Sequence, residues 1–123
     1  MVSPAVGKVV LVPFPFADLS QSKLWPAVIL ADAGRGDRIL CQVTSNPYGD
    51  ASAIRLTDGC FSQGSLRSSS LARPGKLFTA SFGLMLLEVG ILTASAALQI
   101  IKAVITILQS GVEQGDVEHD TTG

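Results

Sequence analysis

The sequence predicts an α+β domain, a small curled sheet or barrel of short strands with one helix packed against it. Two observations carry this. Between residues 6 and 80, short β-branched and apolar runs alternate with turns built from Pro, Gly, Asn and Asp. After residue 80 the apolar spacing changes to steps of three and four, the period of a helix. At 123 residues the chain is long enough to bury roughly two-thirds of its unfolded surface. It therefore needs no disulfide to fold.

Val6–Val12 is a near-continuous β-branched run stopped by Pro13, and Pro26–Ala31 is a second; both read as strands with an irregular loop between them. The turn Asp32–Asp37 joins the second strand to Arg38–Thr44 as a hairpin. Asn46–Asp50 turns the chain into a fourth strand over Ser52–Thr57, and Asp58-Gly59 punctuates again. The serine-rich Ser65–Ala72 reads as an edge strand or extended segment, and Pro74-Gly75 as a turn into a short strand at Lys76–Ala80. Thr93 is the predicted N-cap of a terminal helix. Ala94, Ala97, Leu98, Ile101, Val104, Ile105 and Leu108 form its core face, Gln99, Lys102 and Thr106 its outer face, and Ser110-Gly111 its end. The organisation expected is a folded domain over residues 1–111 and an acidic, disordered tail over 112–123.

Composition narrows the function. The formal net charge is −1, but all nine Lys and Arg lie within residues 1–109, leaving that body at +3, while four acids crowd the tail. A mildly basic body suits an anionic ligand such as RNA. The tail is read as solubilising, or as folding back over the basic body in competition with RNA. Cys41 and Cys60 have no CxxC spacing, and are expected as reduced thiols in a cytoplasmic protein. The apolar stretch Phe82–Ile101 is broken by Glu88, Gly90 and Thr93, so no membrane span is expected. His119, the only histidine, falls in the tail, which argues against a His-based triad, a His pair and a His metal cluster. Neither a GxGxxG nor a GxxxxGK[ST] phosphate loop occurs. No metal or cofactor is expected.

What remains are hydroxyls, amides and cations. Gln42 and Thr44 share one face of a strand because side chains alternate, and Ser45 follows them into the turn. Lys23 follows the Ser20–Ser22 loop, and Arg67, Arg73 and Lys76 bracket the serine-rich segment. Each also has a plainer reading: Thr44 as a β-former at a strand end, the cations as solvated surface charges.

Five segments stand in order along the chain: Gly7–Leu19 (GKVVLVPFPFADL), Ser22–Leu30 (SKLWPAVIL), Gln42–Ser45 (QVTS), Arg73–Thr79 (RPGKLFT) and Gly90–Thr93 (GILT) before the helix. Their resemblance is to the MazF/PemK-type toxins of bacterial toxin–antitoxin modules. It implies a compact SH3-like barrel of the CcdB/MazF/PemK type with a packed C-terminal helix, a homodimer, and a small acidic antitoxin as partner. The implied activity is metal-independent, sequence-specific cleavage of single-stranded mRNA, in which the RNA's own 2′-hydroxyl attacks the adjacent phosphate. Thr44 fits the Thr or Ser that such proteins carry at the end of the third strand. Where they carry an Arg before the Pro of the second strand, this chain has Trp25.

An indole offers one N–H and no charge, so the resemblance is left with Lys23 as a point charge beside Thr44 at the scissile phosphate. Trp25, Gln42, Ser45, Arg67 and Arg73 are then the expected RNA-binding residues. Trp25 has two placements open to it: stacking on a base, or packing under the loop or in a dimer interface. The alternative function is a toxin homologue with weakened cleavage that binds its antitoxin, RNA or a topoisomerase.

Overall fold

The computed structural model describes residues 6–13, 24–46, 49–66, 68–85 and 87–112. Seven strands form one antiparallel sheet: β1 (Lys8–Pro13), β2 (Leu24–Gly34), β3 (Asp37–Thr44), β4 (Ile54–Leu56), β5 (Phe61–Gly64), β6 (Ser70–Ser81) and β7 (Leu87–Leu92). Their order across the sheet is β4-β6-β3-β2-β1-β7-β5, and one helix, α1 (Ala94–Gly111), closes the chain. Leu56 of β4 and Phe61 of β5, from the two opposite edges, join the same core cluster with Val9, Val28, Val43 and Ile100. The sheet therefore curls around that cluster, and α1 covers it, as the α+β reading expects. A second cluster, Val10, Val12, Ala27, Ile29, Leu40 and Phe78, lies on the other face of the same strands.

The β2–β3 hairpin forms where the sequence places it. Its tip passes through positive φ at Gly34, Arg35 and Gly36, and Asp32 Oδ1 accepts from the Gly34 N–H at 2.8 Å. The N-cap is also as read: Thr93 Oγ1 accepts from the Ala96 N–H at 3.1 Å.

Four elements differ from the sequence reading. Pro74-Gly75 does not separate two segments: β6 runs through it from Ser70 to Ser81. The register accommodates Pro74 by a wide bulge. Cys41 pairs with Leu77 and Val43 with Ala72, so Arg73–Lys76 stand opposite Gln42 alone. A residue without an N–H is tolerated where the ladder is interrupted, and Pro74 there is fully buried. Second, β6 lies between β4 and β3 rather than at an edge, and Ser70 and Ala72 are buried. Third, the fourth strand shrinks to Ile54–Leu56, and β5 and β7 are added. β7 lacks an alternating pattern because Glu88 and Gly90 interrupt its apolar run.

The fourth difference is the facing of α1. Ala96, Ala97 and Ile100 are buried, whereas Leu98, Ile105 and Leu108 of the expected core face are exposed, Leu108 by 68%. Apart from a polar stripe of Ser95, Gln99, Lys102, Thr106 and Gln109, the helix is a broad apolar arc, so periodicity alone does not choose which part of that arc packs. By length and composition it is also apolar enough to cross a membrane. Val112 continues the helical backbone as its cap, and the rest of the expected tail lies outside the described residues.

Gly64 and Gly90 pair across β5 and β7. A Cβ on Gly90 would meet the Gln63 carbonyl oxygen at 2.9 Å and the Phe61 ring at 2.9 Å. Backbone on one side leaves no flexible side chain to yield. Gly90→Ala is expected to lower stability by about 1–3 kcal/mol in urea denaturation. Gly83→Ala, whose Cβ would sit 3.6 Å from the Ser81 hydroxyl, should change it by less than about 0.5 kcal/mol.

Candidate nucleic-acid interface

The β2–β3 ladder begins at Ala27↔Gln42, one residue beyond Pro26, whose nitrogen has no proton to donate. Before that pair the two strands part. A cleft of about 240 Å³ opens there, lined by Trp25, Pro26, Val43, Thr44, Ser45 and Leu66, with Ser68 and Ser70 on its far wall. Trp25 packs partly against the second core cluster while it lines the cleft, and as part of β2 it stands opposite Val12 of β1. The second core cluster therefore holds one part of the indole, and another part forms a wall of the cleft.

Thr44 is buried at the last position of β3. Its Oγ1 accepts from the Asn46 N–H at 3.1 Å, which turns the chain out of the sheet and holds the side chain in one rotamer while leaving the hydroxyl proton free to donate. Ser70 is buried on the facing strand and donates to the Ser68 carbonyl at 2.9 Å. The described cleft wall is therefore hydroxyl and aromatic, with no charged side chain on it.

Gln42 and Arg73 meet beside the cleft rather than in it. The bulge folds Arg73 back so that its Nε donates to Asp50 Oδ2 at 3.0 Å and its Nη1 to Gln42 Oε1 at 3.2 Å. Asp50 also accepts from the Ser52 N–H at 2.9 Å through Oδ1. The Arg73 bond, then the Ser52 N–H, hold the Asp50 carboxyl below its usual range against the opposing effect of burial. The bulge backbone is pinned from beneath, since the Cys41 thiol donates to the Arg73 carbonyl at 3.0 Å. Burial pushes the Cys41 pKa up to about 12, so the thiol keeps the proton this bond needs.

Of the residues singled out in the sequence, Trp25, Thr44 and Ser45 come together in the cleft, and Gln42 and Arg73 form the adjoining clamp. Lys23 and Arg67 lie outside the described residues. Sequence reasoning missed Asp50, which was read as serving its turn alone and in fact serves both turn and clamp. It also missed Ser68 and Ser70, whose only signal was the serine run itself. Among the described residues, no three His, Cys, Asp or Glu gather as a metal site would require.

No family model and no curated protein matches the sequence. Solved structures do. MazF from Deinococcus radiodurans aligns with a TM-score of 0.66 at 19% identity, over 88% of this chain and 98% of that one. The chain has the MazF fold. The toxin MazF-mt6 of Mycobacterium tuberculosis aligns at 0.60 and 17% identity, covering 79% and 91%. An endoribonuclease from a mycobacterial species, solved in complex with its cognate antitoxin, aligns at 0.57 and 15%, covering 86% and 95%. At such identities the MazF architecture persists while most side chains differ, so the cleft's chemistry has to be read from this chain's own residues.

The clamp makes a pH-dependent prediction. Because the Asp50 pKa is lowered in the folded state, its contribution is present above the ordinary value of 3.8 and lost as pH falls below it. Asp50→Asn should therefore cost stability at pH 7, about 1.5–3 kcal/mol for a charged hydrogen bond. The gap to the wild type should narrow as pH drops toward 3, measured by urea denaturation across that range.

Proposed function

We propose that this chain is the toxin of a toxin–antitoxin pair and a metal-independent endoribonuclease for single-stranded RNA. The observation that carries the reading is the meeting of Trp25, Thr44 and Ser45 in one cleft of a MazF fold. The cleft's rim clamps Arg73 in place. In the reaction the RNA's 2′-oxygen attacks the neighbouring phosphorus, the bond to the 5′-oxygen breaks, and a 2′,3′-cyclic phosphate and a 5′-hydroxyl result. The 2′-hydroxyl gives up a proton and the departing oxygen gains one. The protein's tasks are to align the strand and to stabilise the crowded phosphorane.

Thr44 suits the second task as a neutral donor whose oxygen is held in place and whose proton is free, and Lys23 is proposed as the charge that joins it. Ser45 and Trp25 hold the flanking nucleotide, Gln42 and Arg73 shape the rim, and Arg67 contacts the backbone. The proposed setting is the cytoplasm, without membrane attachment. The proposed partners are an acidic antitoxin and a second copy of the chain. A MazE–MazF complex of the same fold from Deinococcus radiodurans supports the antitoxin. For the second copy, the support is the outer stripe of α1: Leu98, Ile101, Ile105, Leu108 and Val112 alternate at three and four residues, and four of the five are exposed.

One observation favours a second reading. An aromatic stands where the phosphorane would want a cation, and no charged side chain lines the described cleft. A protein so built would bind RNA, antitoxin or a topoisomerase and cleave weakly. Losing one such stabiliser costs about 10²- to 10³-fold in rate.

With a pool of single-stranded RNA, the expected outcome is cleavage that persists in chelator and leaves 2′,3′-cyclic ends. Thr44→Ala should slow it by about 10²-fold and Trp25→Arg should accelerate it. An intact pool with the wild type, cut by Trp25→Arg, would select the binding reading. Ile105→Glu, on the exposed stripe, should shift the chain from dimer to monomer in light scattering after gel filtration, with the circular dichroism spectrum unchanged.

A further inference from the structure

The sheet register extends the cleft to a residue that neither composition nor motif picks out. Thr44 pairs with Leu71 of β6, and Leu71 pairs with Arg55 of β4. Directly opposed residues on antiparallel strands point to the same face, so Thr44, Leu71 and Arg55 form one row. Trp25, two residues before Ala27 on β2, faces this row across the cleft that it lines with Thr44. With neighbouring strands roughly 4.8 Å apart, the Thr44 and Arg55 backbones stand about 10 Å from each other.

The two ends of the row, Thr44 and Arg55, line neighbouring clefts, while Leu71 between them lines neither. A second cleft of about 320 Å³ is lined by Arg55, Thr57, Asp58, Phe61, Leu66 and Ser68, together with Ser69. It shares Leu66 and Ser68 with the Trp25–Thr44 cleft, so the two clefts adjoin across a wall that carries Ser68. Arg55 is exposed, yet its head is placed: Nη1 donates to Ser69 Oγ at 2.7 Å. It is the one cation on the described walls of either cleft. Phe61, half-buried, supplies an apolar wall beside it. Asp58 is the one carboxylate there and opposes an anion.

We infer that Arg55, positioned by Ser69, is a backbone-phosphate subsite for the RNA strand whose neighbouring nucleotide occupies the Trp25–Thr44 cleft. This rests on the RNA reading above. The site divides the labour: an aromatic and hydroxyl cleft takes the nucleotide, and the cation that gives affinity stands one or two nucleotide steps along. A guanidinium holds a phosphate through paired N–H donors, so its loss weakens binding on all sequences alike and reduces the salt dependence.

The test uses the full chain and a fluorescein-labelled random-sequence RNA 12-mer carrying 2′-O-methyl groups, which block cleavage. Binding is followed by anisotropy over a range of salt. Arg55→Ala should weaken binding roughly 5- to 20-fold and flatten the log–log salt slope by about 0.7, the value for one phosphate contact on a single strand. Arg55→Lys should recover most of the affinity, and Asp58→Asn should tighten binding. Arg35→Ala removes the same charge from the hairpin tip, roughly 30 Å along β2 from the cleft, and should leave both quantities unchanged. Wild-type affinity and slope in Arg55→Ala, or an equal loss in Arg35→Ala, would overturn the subsite while leaving the RNA reading standing. A wild type that does not bind the 12-mer would overturn both.

Discussion

Everything at the cleft depends on the register between β3 and β6. Four residues of β6 stand opposite one residue of β3, and a bulge of that size leaves backbone groups outside the ladder. The chain satisfies the Arg73 carbonyl with the buried Cys41 thiol. The Arg73 side chain folds back to tie Gln42 to Asp50, in the turn that follows β3. Beyond the bulge the strands resume pairing at Val43↔Ala72 and Thr44↔Leu71. Thr44, the serines of early β6 and, through Leu71, Arg55 of β4 owe their alignment to that resumption. A pairing slip of one residue would turn Thr44 away from this row.

Trp25 changes what such a cleft does best. A guanidinium at that place would act on the transition state, where charge accumulates; an indole acts on the ground state, through its face. Stacking a base on an aromatic is worth about 1–3 kcal/mol and is the same whether or not the strand is cut. That energy lowers the concentration of RNA needed and leaves the barrier untouched. Arg73 is held by Asp50 and Gln42 and fixes the shape of the rim. In the proposed function, Lys23 would therefore supply the charge for the phosphorane and Arg55 the charge that holds the strand.

The parts of the fold that were legible in the sequence are those governed by local chemistry. The hairpin from β2 to β3 was announced by Asp32-Ala-Gly-Arg-Gly, and the start of α1 by Thr93, because an Asx turn and an N-cap involve residues two or three apart. What could not be read depended on distant partners. Pro74-Gly75 looks like a turn until the bulge opposite Gln42 gives a proline somewhere to sit. β7 has a strand's length without a strand's alternation, and which part of a broad apolar arc a helix buries is decided by the sheet it lands on. At the site, Trp25, Gln42, Thr44, Ser45 and Arg73 were legible as residues of the right kind near strand ends. The Asp50 clamp and Arg55 were not, because they reach the clefts through pairings across two or three strands.

Trp25 is the only tryptophan in the chain, so its fluorescence reports on the cleft alone. The central claim is that single-stranded RNA occupies that cleft with a base against the indole. Titrating the chain with a 2′-O-methyl RNA 12-mer should quench Trp25 emission, saturating in step with binding followed by anisotropy of a labelled strand. Saturable binding with the Trp25 spectrum unchanged in intensity and position would contradict it.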